Sequence, residues 1–486
     1  YDHNYICNNY FSIKNFSITE NITDKKWSNH IKQYAGTIKQ RKKILGTLKK
    51  YDVVLCTFDI AANDIMQLRK YFREEMNGEI LLLIDESHHI KKIGSETPKG
   101  NRSISESMIQ LGKEVDRRCI LTGTPLPHEW DDLWSQLTFL WPFNSPLGSR
   151  RAFRQRIKNS PDIQNEVAGI MEFMWTRVTH EKVAPDLPKR NLVTIPVSMD
   201  KEQDDIYSMI ETRRHNLPPG LSSGAIRRWR RARITRLMQA STNPRLIIEN
   251  DPAFGINALK PQNKADAKII KKIQNYKKAV PTKLKRAANK ARKISEKGDN
   301  VVIFTHFRGN VHLLRKILQD KKPLWVTGEV EHEGQEKIIQ MFKKWAVDKE
   351  NKEGKILIAT AGTMAESVSL HKIGQQHVCN NAIFLERSYD AGKYMQALHR
   401  IYRIGSHRKK TCNWFVYISK HKDGSNTVET RIDDVLRHRL DRLYELLDDE
   451  FILQPLSLDT SDETDGNSFY GKKDNEDDIL KKISGS

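Results

Sequence analysis

Short apolar runs recur along the chain in two sets. The first set is Asp52–Thr57, Ile80–Ile84, Arg118–Thr122 and Leu192–Val197. The second is Val301–Thr305, Leu324–Thr327, Lys355–Thr360, Ala382–Glu386 and Trp414–Ile418. Most are continuously apolar instead of alternating, the pattern of strands buried on both faces of a parallel sheet. Amphipathic segments of helix length separate many of them, as in Trp130, Leu133, Trp134, Leu137 and Leu140. Strand and helix alternating twice over predicts two α/β lobes.

Between the two sets, Asp200 to Asn263 holds no strand-like run. The spacing predicts helix over Lys201–Thr212 and Ala225–Ile248, with a break at Pro218-Pro219-Gly220. After Pro455, Ser, Asp, Gly and Asn dominate, which predicts a largely disordered tail. The predicted organisation is a first lobe over 1–199, a basic helical insertion over 200–263, a second lobe over 264–455 and an acidic tail over 456–486. No repeat of fixed period is present. The longest apolar runs, such as Ile80–Ile84, fall far short of the ~18 residues a membrane-spanning helix needs.

Charge narrows the choice of partner. The 82 Lys and Arg outweigh 61 Asp and Glu, for a net charge of +21, and the tail is acidic, so the body is more basic still. A field of that sign favours a polyanion, and nucleic acid is the commonest. The cations are clustered: Ile226–Arg236 carries Arg227, Arg228, Arg230, Arg231, Arg233 and Arg236 around Trp229, and Lys260–Lys297 is rich in Lys and Arg. Such stretches supply non-specific affinity for phosphates; a solvated helix face is the alternative. The cysteines (Cys7, Cys56, Cys119, Cys379, Cys412) are isolated, without a C-x-x-C pair. That argues against a disulfide framework or a zinc site and for a reducing intracellular compartment. Tyr1 to Phe16 lacks the apolar block of a signal peptide, and a start at Tyr1 instead of Met leads to the expectation of a missing upstream part.

Three local patterns carry chemistry. Leu83-Ile84-Asp85-Glu86-Ser87-His88-His89 is an apolar strand ending in two acids and two histidines. Ligands of parallel sheets bind outside the carboxyl ends of strands; an acid there holds Mg²⁺ through water, and the next orients or deprotonates an attacking water. A polar loop after a strand is the alternative. Leu121-Thr122-Gly123-Thr124-Pro125 ends another apolar strand with two hydroxyls around a glycine, or is an ordinary turn. In Gln396-Ala397-Leu398-His399-Arg400-Ile401-Tyr402-Arg403, the two arginines share one face if the segment is helical. Guanidinium groups so placed stabilise charge on a transferring phosphoryl group; a solvated basic face is the alternative. His306 and His312 read as packing or surface residues, and Trp130, Trp134 and Trp141 as core.

In this order the patterns resemble the Swi/Snf-type ATPases of helicase superfamily 2, over roughly residues 27 to 445. Asp85-Glu86-Ser87-His88 resembles motif II, Leu121–Pro125 motif III, Val302–Thr305 motif IV, and Ile358–Gly362 the start of motif V. Gln396, Arg400, Arg403 and Gly405 match motif VI, and Tyr51–Phe58 resembles motif Ib. Gln239–Ile247, with Asn243-Pro244, resembles the family's helical linker, and Thr427–Leu447 its closing helix. The resemblance implies two RecA-like lobes that bind ATP and Mg²⁺ between them and ratchet along double-stranded DNA by its phosphate backbone, without regard to sequence.

The same resemblance assigns roles. Asp85 would position Mg²⁺ through water, and Glu86 would activate the attacking water. His88, Thr122, Gly123, Thr124 and Gln396 would couple hydrolysis to lobe motion, and Arg400 and Arg403 would reach the γ-phosphate. Thr57, Thr360 and the arginines Arg227, Arg228, Arg230 and Arg231 are the candidate DNA contacts. Four departures stand out. No G-x-x-x-x-G-K-[ST] phosphate loop occurs, and its place in the family lies upstream of motif Ib, so truncation is the expectation. Ser367 replaces a glycine of motif V, Gln335 an arginine, and His128 an asparagine after motif III. A nucleotide-independent DNA-binding scaffold with a decayed ATPase is the second reading. The small insertion points to a prokaryotic or viral setting in place of a nuclear one.

Overall fold

A computed structural model of the chain describes residues 30–76, 80–90, 103–122, 130–160, 162–172, 174, 176, 187–212, 222–250, 258–261, 264–348, 350–363, 369–374, 376–387, 391–403, 411–447 and 481. The chain divides into two compact units, Tyr1–Ile163 and Gln164–Ser486. Among the described residues no helix is long and apolar enough to cross a membrane.

The first unit runs β1 (Ile31–Gln33), α1 (Ile38–Leu45), β2 (Val53–Leu55), α2 (Phe58–Asn63), α3 (Ile65–Glu75), β3 (Leu81–Ile84), α4 (Ile104–Gly112), β4 (Arg117–Ile120), α5 (Asp131–Leu140) and α6 (Arg150–Asn159). The helix α7 (Ile163–Glu172) carries the chain into the second unit. Several helix starts follow from side chains that satisfy the first free amides. Thr37 and Gln40 form a capping box on α1, while Thr57, Ser103 and Ser149 cap α2, α4 and α6. β1 pairs with β2 and β3 with β4, both in parallel. A core of Leu68, Ile84, Ile90, Met108, Leu111 and Phe139 lies under the helices. The expectation of strands buried on both faces fails at β3. Leu81 and Leu83 stay 45% and 44% exposed, so with β4 as its described neighbour this strand buries one face only.

The second unit holds the larger sheet. Its elements are β5 (Arg190–Ser198), α8 (Lys201–Glu211), α9 (Ser223–Thr242), α10 (Lys264–Gln274), α11 (Thr282–Ser295), β6 (Val301–Thr305), α12 (Arg308–Ile317), β7 (Leu324–Val326) and α13 (His332–Val347). There follow β8 (Ile356–Thr360), β9 (Lys372–Ile373), β10 (Gln376–His377), β11 (Asn381–Phe384), α14 (Ala391–Leu398), β12 (Cys412–Lys420) and α15 (Val428–Leu447). Six strands in the order β5-β12-β11-β6-β8-β7 form one sheet, every pair parallel. The runs of β6, β8 and β11 are buried along nearly their whole length, as continuous apolar patterning requires.

Three segments differ from the sequence reading. By position in the chain residues 192–197 fall in the first set of strands, yet β5 pairs residue for residue with β12, from Arg190↔Cys412 to Ser198↔Lys420. Sequence order cannot reveal an edge strand whose partner arrives more than two hundred residues later. The basic segment after residue 263 also joins the insertion: Ile269 and Ile273 of α10 share a core with Tyr207, Ile234, Leu237, Val428 and Ile432. The helix predicted over 225–248 breaks at Asn243. There Pro244 removes an amide and opens a 3-10 turn, Pro244–Ile248, capped by the Asn243 side chain. The Pro218-Pro219-Gly220 break and the acidic tail, Lys481 apart, lie outside the described residues.

Candidate functional site

The acid turn sits at the carboxyl end of β3. Ile84 is buried and accepts a hydrogen bond from Leu121 N at 2.8 Å, and Leu121 in turn accepts one from Ser87 N at 3.0 Å. The first residue after β4 thus clasps the turn on both sides. Asp85 is exposed, and its Oδ1 accepts from Glu86 N at 2.9 Å. Glu86 takes the left-handed conformation, φ 49°, which a glutamate adopts only when its neighbours hold it there. His88 is buried beneath, its Nδ1 3.1 Å from Glu86 Oε2 but without hydrogen-bond alignment. His89 lies against it with ring centroids 4.4 Å apart.

The donor chemistry fits a magnesium ion held largely by water. Asp85 presents one exposed carboxylate with an oxygen unused by the turn, and Mg²⁺ is usually bound through one or two carboxylates with waters and phosphates. Among the described residues no group of three or more His, Cys, Asp or Glu forms a dedicated metal cage.

Of the residues expected after β4, Thr122 is half-buried beside Leu121, while Gly123 and Thr124 lie outside the described residues, as does His128. The sequence reading passed over Gln136, 1% exposed on α5. It accepts from Ser87 Oγ at 2.6 Å and donates to the Asp132 carbonyl at 3.1 Å. A signal existed: Gln136 shares the helix face of Leu133, Leu137 and Leu140, and an amide on a core face must find partners. Trp130 is in the core, whereas Trp141 is 37% exposed.

In the second unit the expected arginine helix ends early. α14 stops at Leu398, so Gln396 is helical while Arg400 and Arg403 follow in the turn. Arg400 is buried and its carbonyl accepts from Leu370 N at 2.9 Å; Arg403 is exposed. The two therefore do not share a helix face, and three-residue spacing gave no warning of it. Ser367 lies outside the described residues, and Gln335 Nε2 donates to the Val330 carbonyl at 2.7 Å.

The carboxyl edge of the six-stranded sheet is polar. Thr305 and Thr360 are paired across β6 and β8, and Thr360 Oγ1 lies 2.7 Å from Thr363 Oγ1. Behind them Glu386 accepts from His306 N at 2.9 Å, Asn310 Nδ2 at 3.0 Å and Thr305 Oγ1 at 3.2 Å. Burial pushes its carboxyl up to about 7, against the nearby Lys283 charge. Asn243 Nδ2 donates to Asn310 Oδ1 at 3.2 Å, joining the linker turn to this network.

The remaining candidates divide by exposure. Thr57 is exposed, and its Oγ1 caps α2 by accepting from Ile60 N at 3.5 Å. On α9, Arg228 and Arg231 are exposed, Arg230 is half-buried, and the Arg227 side chain lies outside the described residues. Arg233 and Arg236 are structural: they donate to the carbonyls of Glu211 and Ile247 at 2.8 and 2.9 Å.

Comparison with known proteins adds a family. A family model, the SNF2-related domain, matches residues 16–279. The CHD3-type chromatin-remodeling factor CHR7 of Arabidopsis thaliana is 21% identical over 399 residues, covering 81% of this chain and 29% of the relative. The ATP-dependent helicase FUN30 of Saccharomyces cerevisiae is 23% identical over 494 residues, covering 84% of this chain and 41% of its own. An uncharacterized ATP-dependent helicase of Mycoplasma genitalium, MG018, is 23% identical, with 85% and 34% covered. The chain thus spans well under half the length of these curated relatives. Among solved structures, the Sulfolobus solfataricus SWI2/SNF2 ATPase core in complex with dsDNA aligns over 86% of this chain and 81% of that one, at 21% identity and a TM-score of 0.32.

Proposed function

With residues 16–279 matched, this chain belongs to the SNF2-related domain family, and from that premise we propose that it is the ATPase core of a double-stranded-DNA translocase. One observation carries the reading: the exposed Asp85 and the left-handed Glu86 held at the carboxyl end of a parallel strand, where ligands of such sheets bind. Asp85 would hold a Mg²⁺ ion through water. When bound, that ion neutralises charge on the phosphates. Glu86 accepts the proton of the attacking water, and His88, packed under it, senses the change. Thr122, Gly123, Thr124 and Gln396 couple hydrolysis to movement, and Arg400 and Arg403 offset the developing negative charge. DNA is held by phosphates, through Thr57, Thr360 and the exposed arginines of α9, without base readout.

The 486 residues contain no G-x-x-x-x-G-K-[ST] string, whose amides and lysine cradle phosphates. Residues 1–486 alone are therefore expected to hydrolyse ATP at background, and an intact protein that supplies the loop to hydrolyse it with stimulation by duplex DNA. In that protein Arg400→Ala or Arg403→Ala should lower turnover by up to roughly 10³–10⁵ and leave nucleotide-free DNA affinity unchanged. Variants that hydrolyse normally but lose DNA would reassign both arginines to the DNA backbone. Background hydrolysis by the intact protein with full DNA binding would favour the scaffold reading.

A further inference from the structure

A buried hydrogen-bond chain in the first unit connects a helix backbone to the acid turn. Gln136 is 1% exposed and Ser87 is 0% exposed. The direction of the chain is fixed by chemistry. The Asp132 carbonyl only accepts, so the Gln136 amide presents Nε2 to it, at 3.1 Å. Its Oε1 then faces Ser87, and the Ser87 hydroxyl donates, at 2.6 Å. Ser87 N is also committed, to the Leu121 carbonyl at 3.0 Å. Ser87 is thus pinned at both its backbone and its side chain, directly after a residue with φ 49°.

That placement matters because Glu86 has a cheaper conformation available. A left-handed glutamate relaxes to negative φ unless the residues on both sides prevent it. On one side, Asp85 Oδ1 takes the Glu86 N–H at 2.9 Å; this bond moves with the turn and does not anchor it. On the other side, Ser87 is fixed to β4 through Leu121 and to α5 through Gln136. The second anchor is the one that ties the turn to a rigid helix.

We propose that Gln136 is a positioning residue that holds the Asp85–Glu86 turn left-handed through Ser87, and so sets the direction of both carboxylates. The proposal rests on the reading of those acids given above. A side chain that only filled space would be replaceable by one of equal length. Gln136→Met is that replacement: it keeps the volume and removes both the acceptor for Ser87 and the donor to the Asp132 carbonyl. Ser87→Ala removes the donor from the other end and adds no bulk.

Hydrogen exchange of the 85–89 amides, read beside the thermal midpoint, tests the positioning in residues 1–486. Gln136→Met should speed exchange there by about tenfold, the order of one net hydrogen bond, with the rest of α5 protected as before. Ser87→Ala should do the same, and the double variant should be no worse than the poorer single one, as for two groups acting in one chain. In the intact protein, kcat for ATP should fall by a similar factor at unchanged KM. Wild-type exchange at 85–89 in Gln136→Met, or protection lost equally throughout the first unit, overturns the proposal. If the intact wild type hydrolyses no ATP, the catalytic reading of the acids fails, and the exchange data still decide whether Gln136 governs the turn.

Discussion

Glu386 is a carboxyl group whose burial outweighs the donors and the lysine that favour its charge. It is 3% exposed, and burial raises its pKa from the ordinary carboxylate range to about 7, with Glu429 pushing in the same direction and Lys283 opposing. Between those limits the folded chain holds a proton that the unfolded chain has released. The stability this contributes is full below the ordinary carboxylate range and is lost as pH rises through about 7. The urea midpoint of the second unit should fall from pH 5 toward neutrality, and Glu386→Gln should flatten that fall; a parallel slope in the variant would assign it to other groups. The neighbouring pair is of another kind. Lys283 Nζ meets both oxygens of Glu429 at 2.6 Å, and the carboxylate also accepts from Ser241 Oγ at 2.6 Å and Ser419 N at 2.7 Å. Lys283→Met leaves a buried charge uncompensated, at a cost of about 3–5 kcal/mol, and Lys283→Met with Glu429→Leu should recover part of it in the same urea measurement. Glu429 lies at the start of the segment that resembles the family's closing helix, whereas nothing in the sequence marks Lys283. A buried Lys in a helix of lysines and arginines looks like surface until its partner, 146 positions away, is known.

The helices show which patterns are legible. A cap is a local transaction between one side chain and amides two or three residues on, as at Ser222 before α9, a signal that the reading of a helix from Ala225 passed over. The acid turn was readable, since a strand, two acids and a histidine are contiguous. Ends were less so: α14 stops before its arginines, and the Arg400 carbonyl accepts from Leu370 N, a contact no local pattern encodes. α9 divides along its length. Its second half is core, with Ile234, Leu237 and Ala240 at 2%, 0% and 0% exposure, while its first half offers Arg228 and Arg231 to solvent. On the proposed function, replacing those two by Gln should flatten the plot of log affinity against log salt by about one unit per lost phosphate contact, equally on unrelated duplexes. Arg233→Gln should instead act on stability, since its guanidinium holds a helix end. An unchanged slope in the double variant would return this half-helix to a solvated face and move the DNA path elsewhere.

At the scale of the whole molecule, the alternation of strand and helix marked out the six-stranded sheet, because burial on two faces writes itself into the composition of β6, β8 and β11. It did not place β5. Its partner lies far along the chain: Asn191 Nδ2 bonds Asn413 Oδ1 across 222 positions, and the register runs the full length of both strands. That pairing sets a timetable for synthesis. At roughly 5–20 residues per second, β5 leaves the ribosome about 10–45 s before β12 exists to receive it. The insertion core waits as well, since Val428, Ile432 and Val435 of α15 complete it. A nascent chain halted before Cys412 should therefore be cut readily by protease at 190–198 and be a client for chaperones. One halted after Leu447 should resist at the same bonds. The second unit is built to finish from its end.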